Sequence, residues 1–155
     1  MSTKTSTASP ATQLAGFIAK FDPVMQARIR ACRAALRRQM PTAVELVYDN
    51  YNFFVIGYGP TERASDAIVS LTAYAKGVGL CFIYGATMAD PAKILRGSGN
   101  QTRSISLEGP AVLSTPAVKS LIRTAIANGD VPLPKAGKGY LVIKSVSAKQ
   151  RSRRA

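Results

Sequence analysis

The chain contains no histidine and only two cysteines, Cys32 and Cys81, among its 155 residues. Without an imidazole, general acid–base catalysis by histidine and histidine-ligated metal sites are excluded, which removes most familiar hydrolase and zinc-enzyme mechanisms. Each cysteine falls in an apolar pattern, so both are predicted to be buried thiols in a reducing compartment. No hydrolase, kinase, metalloprotease or dinucleotide signature occurs. The sequence therefore favours a binding protein without cofactor or metal, and an enzyme would have to use tyrosine, lysine or carboxylate chemistry.

Acidic residues are scarce, with 8 Asp and Glu against 21 Lys and Arg and a net charge of +13. Such an imbalance attracts polyanions and anionic metabolites. Residues 135–155 contribute seven of the basic residues and no acid. No apolar run approaches the roughly 18 residues of a membrane span, and the Ser/Thr-rich N-terminus lacks the apolar core of a signal peptide. We expect a cytoplasmic protein with no membrane partner.

Composition changes divide the chain into a body and two ends. Residues 1–8 are predicted to be a flexible arm and residues 147–155 a basic disordered tail. Residues 9–146 form the single domain, which is large enough to bury its own core. No internal repeat is visible.

The order of periodic segments predicts an α+β domain. Helices are expected where Ser9, Asp22 and Thr115 each precede a proline, since this pairing is typical of a helix N-terminus, and a short helix is expected after Asp90. Consecutive strands between the helices predict a mainly antiparallel sheet packed against N-terminal and C-terminal helices. The predicted strands lie at 44–49, 51–58, 66–74, 78–85, 103–107 and 140–146.

Four stretches occur in a characteristic order: "LRRQMPTAVELVYDNYN", in which Glu45 and Tyr48 are three residues apart, "VSLTAYAKGVGLCFIYG", "LRGSGNQTRSISLE" and "PAVKSLIRTAIANG". Together they resemble the YdhG-like family, which is catalogued mostly as a domain of unknown function. The resemblance implies helices against an antiparallel sheet and little chemistry. The family's glycine-rich loop usually has a lysine where this chain has Asn100, which weakens an anion site built on that lysine, while Arg103 remains.

One branch of the YdhG-like family is described as a frataxin-like intracellular iron chaperone, which gives an alternative function. Iron carriage requires grouped oxygen ligands. The acids of this chain are scattered singly along the sequence. We therefore expect no metal site.

Carboxylates, phenols and cations around the central strands form the candidate ligand-binding site. Convergent polar groups in a cleft are typical of small-ligand pockets, and backbone N–H groups of the glycine-rich loop would add a phosphate nest. The expected ligand is small and polar or anionic. In the alternative interpretation the tyrosines fill half-buried strand positions, the carboxylates pair with local arginines and the loop is a plain connection. The candidate residues are Glu45, Tyr48, Asp49, Tyr51, Lys76, Tyr84, Gly97, Ser98, Gly99 and Arg103.

Basic residues give a further alternative, sequence-independent contact with nucleic acid. One set lies on a face of the second helix and another in the C-terminal region, where Tyr140 is the one aromatic residue available for base stacking. The simpler interpretation is a solvated helix face and a solubilising tail. The candidate residues are Arg30, Arg33, Arg37, Lys144, Lys149, Arg151, Arg153 and Arg154.

Overall fold

The structure, a computed structural model, describes residues 8–155. The predicted flexible arm therefore lies outside the described residues, except for Ala8. Three helices and six strands are formed within the described part. They are α1 (Pro10–Ala19), α2 (Pro23–Gln39), β1 (Val44–Asp49), β2 (Phe54–Gly59), β3 (Val69–Tyr74), β4 (Gly77–Phe82), β5 (Arg103–Ser106), α3 (Pro116–Asn128) and β6 (Leu141–Val146).

All three helices begin at a proline, as the sequence predicts. The hydroxyl of Ser9 caps α1 by accepting a 3.1 Å hydrogen bond from the backbone N–H of Thr12. Asp22 and Thr115 have the extended backbone of an N-cap but make no such side-chain bond. Proline supplies the fixed φ and lacks the N–H that a first helical turn would leave unpaired.

The short helix predicted after Asp90 does not form. The Asp90 carboxylate instead accepts hydrogen bonds from the backbone N–H groups of Ile94 and Leu95, at 3.1 and 3.0 Å. Lys93 has a φ of 54° and Gly97 a φ of 122°, both in the left-handed region that ends helical geometry. The segment is therefore a turn held by one carboxylate.

The six strands form one sheet in the order β5-β4-β3-β2-β1-β6. Every neighbouring pair is antiparallel except β1 and β6, which are parallel. β5 and β6 lie at opposite edges of the sheet, and α3 is part of the connection between them. The predicted α+β fold with a mainly antiparallel sheet is confirmed.

The helices cover one face of this sheet. Val47, Ile56, Leu71 and Leu80 form a buried row across β1 to β4 and pack in one core cluster with side chains of all three helices. Alternate residues point to the other face, which we call the open face. At its β1–β2 part Leu46 and Gly57 are buried, and a Cβ built on Gly57 would lie 3.9 Å from the Cβ of Ala67. Cys81 lies on the open face and is only partly buried, so the prediction of two buried thiols holds for Cys32 alone.

The C-terminal residues follow the sheet instead of leaving it. The N–H of Ser147 donates to the carbonyl of Asp49, the N–H of Arg151 donates to the carbonyl of Tyr51, both at 2.9 Å, and Arg153 is only 4% exposed. The structure thus differs from the predicted disordered tail. The parallel pairing of β6 carries the chain past Asp49, a buried carboxylate that needs a cation.

Gly139 is required where the segment before β6 crosses the end of α2. Its N–H donates a 2.9 Å bond to the carbonyl of Pro41, and a Cβ built on Gly139 would overlap the carbonyl oxygen of Ala43. We predict that Gly139→Ala lowers the free energy of unfolding by about 3 kcal/mol, since the backbone must move apart. The matched variant Gly16→Ala, at an α1 position with no atom within 4 Å of a built Cβ, should raise it by up to about 1 kcal/mol. Urea unfolding measures both, and equal effects would contradict this account.

Candidate functional site

Glu45 is the centre of a buried ion pair between β1 and α2. It is 4% exposed, and Arg33 donates two hydrogen bonds to its carboxylate, from Nε to Oε2 at 2.9 Å and from Nη2 to Oε1 at 2.8 Å. Tyr58 Oη donates to Oε2 at 2.9 Å. The bond to Glu45 raises the pKa of Arg33, and burial raises that of Tyr58 well above its usual value. The bidentate pairing compensates the desolvation of both charges.

Asp49 forms a second buried centre four residues along β1. Its carboxylate is fully buried and accepts hydrogen bonds from Lys20 Nζ at 2.7 Å and from Arg153 Nη2 at 2.8 Å. Burial alone would raise the pKa of Asp49, but hydrogen bonds from Lys20, Arg153 and Gln150 outweigh burial and lower it. The Arg153 guanidinium lies 6.0 Å from the ring centroid of Phe21. Its Nε and Nη1 have no hydrogen-bond partner within residues 8–155.

The predicted ligand cluster is divided by the sheet itself. Glu45 and Asp49 point to the helices, whereas Tyr48 occupies the opposite, open face and Tyr51 lies in the turn after β1. Burial raises the pKa of Tyr48. The signal was present in the sequence, because residues three apart on a strand face opposite sides. The alternative interpretation, in which carboxylates pair with local arginines, describes Glu45, which is bound by Arg33 of the neighbouring α2. Asp49 instead pairs with Lys20 and Arg153, 29 and 104 residues away in sequence.

The remaining predicted ligand residues lie at opposite ends of the sheet. Lys76 is in the β3–β4 turn. At the other end of β4, Arg103 pairs with Phe82, the last residue of the strand, and Tyr84 follows two residues later. Tyr84 Oη donates to the carbonyl of Ser65 at 2.7 Å. The structure does not bring Lys76, Tyr84 and Glu45 into one cavity.

The glycine-rich loop is closed by its own arginine. Arg103 Nη1 donates to the carbonyls of Gly99 and Thr102, and Gly97 provides the left-handed turn. Ser98 is exposed. The loop thus folds as a connection into β5, as the alternative interpretation has it.

The arginines predicted to form one basic face on α2 differ in their surroundings. Arg33 is bound to Glu45, and the Nε of Arg37 lies 3.8 Å from the same carboxylate while 57% of its side chain is exposed. Arg30 Nη1 donates to Gln26 and is exposed. Only Arg30 and Arg37 therefore present charge outward.

Most of the C-terminal cations that were candidates for nucleic-acid contact, in β6 and in the predicted tail, contact the domain instead. Arg154 Nη1 lies 3.3 Å from Asp22, Lys144 Nζ donates to the carbonyl of Glu62 at 3.0 Å, and Arg153 is buried against Asp49. The Arg151 guanidinium lies 5.5 Å from the ring centroid of Tyr51. Lys149 is exposed and has no ionic partner among the described residues.

A cleft beside Glu45 brings together cations that the sequence patterns did not group. It has a volume of about 400 Å³ and lies between the end of α2 and the segment before β6. Arg38 and Lys138 were not predicted, because the approach of residue 138 to α2 depends on the Gly139–Pro41 bond between distant segments. The lining residues are Ala34, Arg37, Arg38, Met40, Pro41, Ala43, Glu45, Lys138 and Gly139. We call it the basic cleft.

A second cleft, of about 310 Å³, contains Tyr84 but has the opposite charge. Asp66 and Asp130 are among its lining residues. Asp66 accepts a 2.7 Å hydrogen bond from Thr61 and lies 3.9 Å from Arg63. The carboxylates make this cleft unsuitable for an anion.

Within residues 8–155 neither a metal-binding cluster of side chains nor a membrane-spanning helix is formed. No group of three or more Cys, Asp or Glu side chains in that range could hold a metal ion. Among the helices formed there, none is long and apolar enough to cross a membrane.

No protein-family model matches the chain, and no curated protein or solved structure is significantly similar to it.

Asp49→Asn tests the second ion-pair centre. We predict that the free energy of unfolding falls by about 3–5 kcal/mol at neutral pH, because Lys20 and Arg153 lose their counter-charge. The pKa of Asp49 is lower in the folded protein than in the unfolded chain. The ionised carboxylate therefore stabilises the fold fully above the unfolded pKa of about 3.9, and this stabilisation is lost as the pH falls from there through the folded pKa. The variant should lack that part of the acid dependence. Urea midpoints measured from pH 7 to pH 2 give the comparison.

The control is Asp130→Asn, which removes an exposed carboxylate without an ionic partner in the described chain. It should change stability by less than about 0.5 kcal/mol. If Asp49→Asn is as stable as this control, the Asp49 centre does not hold the C-terminal residues in place.

Proposed function

We propose that the protein is a non-enzymatic binding protein for a small anionic ligand, held in the basic cleft. The observation that carries this proposal is the excess of cations around one carboxylate. Arg33 occupies both oxygens of Glu45, so Arg37, Arg38 and Lys138 have no full counter-charge. An anion entering the cleft would supply it.

Partial pre-organisation of these cations supports the proposal. Arg37 is near enough to Glu45, at 3.8 Å, to be held beside the cleft without being fully engaged. Gly139 fixes the position of its neighbour Lys138 through the bond to Pro41. Groups that are already placed lose less conformational entropy on binding a ligand than freely moving side chains do.

The chemistry of the walls indicates the kind of anion. Guanidinium groups bind phosphate and carboxylate through paired N–H donors. Ala34, Met40, Pro41 and Ala43 supply apolar wall beside them. We therefore favour a phosphorylated small molecule, whose phosphate groups bind the cations and whose apolar portion contacts this wall.

A binding function agrees better with the ionisable groups than catalysis does. The chain has no histidine, and the Glu45 carboxylate beside the cleft is already bonded to Arg33 and Tyr58. The raised pKa of Tyr58 opposes its use as a base near neutral pH.

Membership of the YdhG-like family remains a proposal that rests on the four sequence stretches. The fold they imply is the one described above, but many α+β proteins share this architecture. The frataxin-like alternative receives no support from the acids, since Glu45 and Asp49 are each bonded to cations and Asp66 lies 3.9 Å from Arg63. We do not propose iron as cargo.

The test uses inorganic pyrophosphate as the probe and isothermal titration calorimetry at low ionic strength. We predict that Arg38→Ala combined with Lys138→Ala weakens binding roughly a hundredfold or more, because each of the two lost charged hydrogen bonds is worth about 1.5–3 kcal/mol and about 1.4 kcal/mol corresponds to tenfold in affinity. The matched control, Lys119→Ala with Arg123→Ala on the exposed side of α3, removes the same charge elsewhere. It should weaken binding less than about threefold through the general field.

Equal weakening in both double variants would show that the probe responds to net charge alone. Absence of binding to the unaltered protein would contradict the proposal directly.

A further inference from the structure

The open face of the sheet is free of acidic side chains. The only acids in the six strands are Glu45 and Asp49, and both point to the helices. Near the other end of the face, Glu62 is bonded to Tyr140 Oη at 2.8 Å and Asp66 to Thr61. A polyanion on the open face would therefore meet no carboxylate from the strands.

Small side chains make the middle of this face flat. In the strand register Gly57, Ser70, Cys81 and Ser104 stand side by side across β2 to β5, but Gly57 and Ser70 are buried, so only Cys81 and Ser104 of this row are partly exposed. The next row contains Val55, Thr72, Gly79 and Ser106. Flat ligand groups, such as nucleobases, can approach a sheet surface of small side chains closely, since glycine leaves the backbone uncovered.

Three exposed aromatic rings lie together at one end of the face. Tyr51, Phe53 and Tyr74 are 47%, 42% and 46% exposed. The rings of Phe53 and Tyr74 meet edge to face with centroids 5.9 Å apart. Tyr51 and Phe53 border a shallow concavity of about 510 Å³ that also includes Val55 and Ser147. We call Tyr51, Phe53 and Tyr74 the aromatic group.

Cations surround the aromatic group. The Arg151 guanidinium lies over the Tyr51 ring at 5.5 Å and donates to Asn52 at 2.8 Å. Lys76 and Lys149 are exposed in the turn after Tyr74 and in the segment beside Tyr51. At the far edge of the sheet, Arg96 is bridged to Ser104, which places it at the end of the row of small side chains.

We propose that the open face binds single-stranded nucleic acid, with bases stacked on the aromatic group and the phosphates contacted by Lys76, Lys149 and Arg151. Aromatic platforms bordered by cations are the general means of holding single strands without sequence preference. Charge favours a nucleic acid over a second copy of the chain. The open face and the whole protein carry the same sign of charge, and a net charge of +13 opposes self-association. The site is separate from the basic cleft.

The experiment measures fluorescence anisotropy of labelled 12-nucleotide oligo(dT) and oligo(U) with the full chain, over a series of salt concentrations. Phe53→Ala and Tyr74→Ala should each weaken binding roughly fivefold or more while leaving the salt slope unchanged. Phe53→Leu, which keeps an apolar side chain at the half-exposed position, should weaken binding similarly. Lys76→Ala should instead reduce the salt slope by about 0.7, the value for one lost phosphate contact on a single strand.

Two controls separate this site from the rest of the protein. Tyr84→Ala removes an exposed tyrosine at the opposite end of β4 and should retain the original affinity. The Arg38→Ala, Lys138→Ala double variant should retain stacking, which is read as quenching of tyrosine fluorescence by the oligonucleotide. Failure of this proposal is thereby distinguishable from failure of the basic cleft.

Each of the following outcomes would overturn the proposal: no binding at low salt, equal losses in Phe53→Ala and Tyr84→Ala, an equal or higher affinity for duplex DNA, and concentration-dependent dimerisation that Phe53→Leu abolishes. The last result would assign the face to a second copy of the chain. Retained affinity in Phe53→Leu and Tyr74→Ala, with folding verified by circular dichroism, would also overturn it. Comparison of oligo(dT) with oligo(U) then reports whether the 2′-hydroxyl contributes.

Discussion

Two buried carboxylates on one strand hold the layers of this protein together. Glu45 and Asp49 are four residues apart, so both point from β1 to the helices. Glu45 binds Arg33 of α2, while Asp49 binds Lys20 just after α1 and Arg153 near the C-terminus. A buried charge without its partner costs several kcal/mol. The position of α2 and the course of the last residues both depend on this requirement.

The same requirement explains where positive charge remains. The chain has only 8 acids, and four of them form ion pairs within residues 8–155. Most cations of the described chain consequently have no acidic partner and stay at the surface. The basic cleft and the surroundings of the aromatic group are two places where this excess meets shaped surface. Both proposals follow from the scarcity of acid more than from the number of bases.

Local patterns were sufficient to predict the α+β class and the approximate positions of the three helices and six strands. Proline after a capping residue located the three helices, and period-two alternation located the strands. The pairing of β1 with β6 could not be predicted in this way, because it joins segments about 95 residues apart, as in the bond between Ser145 and Asn50. The contacts of Arg153 depend on that pairing. The segment "QRSRRA" has the composition of a disordered segment. It lies on the domain because Arg153 binds the buried Asp49.

The candidate site was predicted less well for a similar reason. Composition grouped Glu45 with Tyr48, although strand periodicity already separates them onto opposite faces. Arg38 and Lys138 approach one another only after the chain crosses the end of α2 at Gly139. Phe53 and Tyr74 meet through the β2–β3 register. Such groupings are properties of strand order and register, which a single sequence does not specify.

The most direct measurement is a double-mutant cycle on Arg33 and Glu45. Free energies of unfolding are determined in urea for the unaltered protein, Arg33→Met, Glu45→Gln and the double variant. If the buried pair fixes α2 on the sheet, the losses of unfolding free energy in the two single variants should add up to more than the loss in the double variant. The difference, which is the coupling energy, should be about 1–3 kcal/mol. Additivity within about 0.3–0.5 kcal/mol would show that the two residues do not interact energetically and would contradict the account.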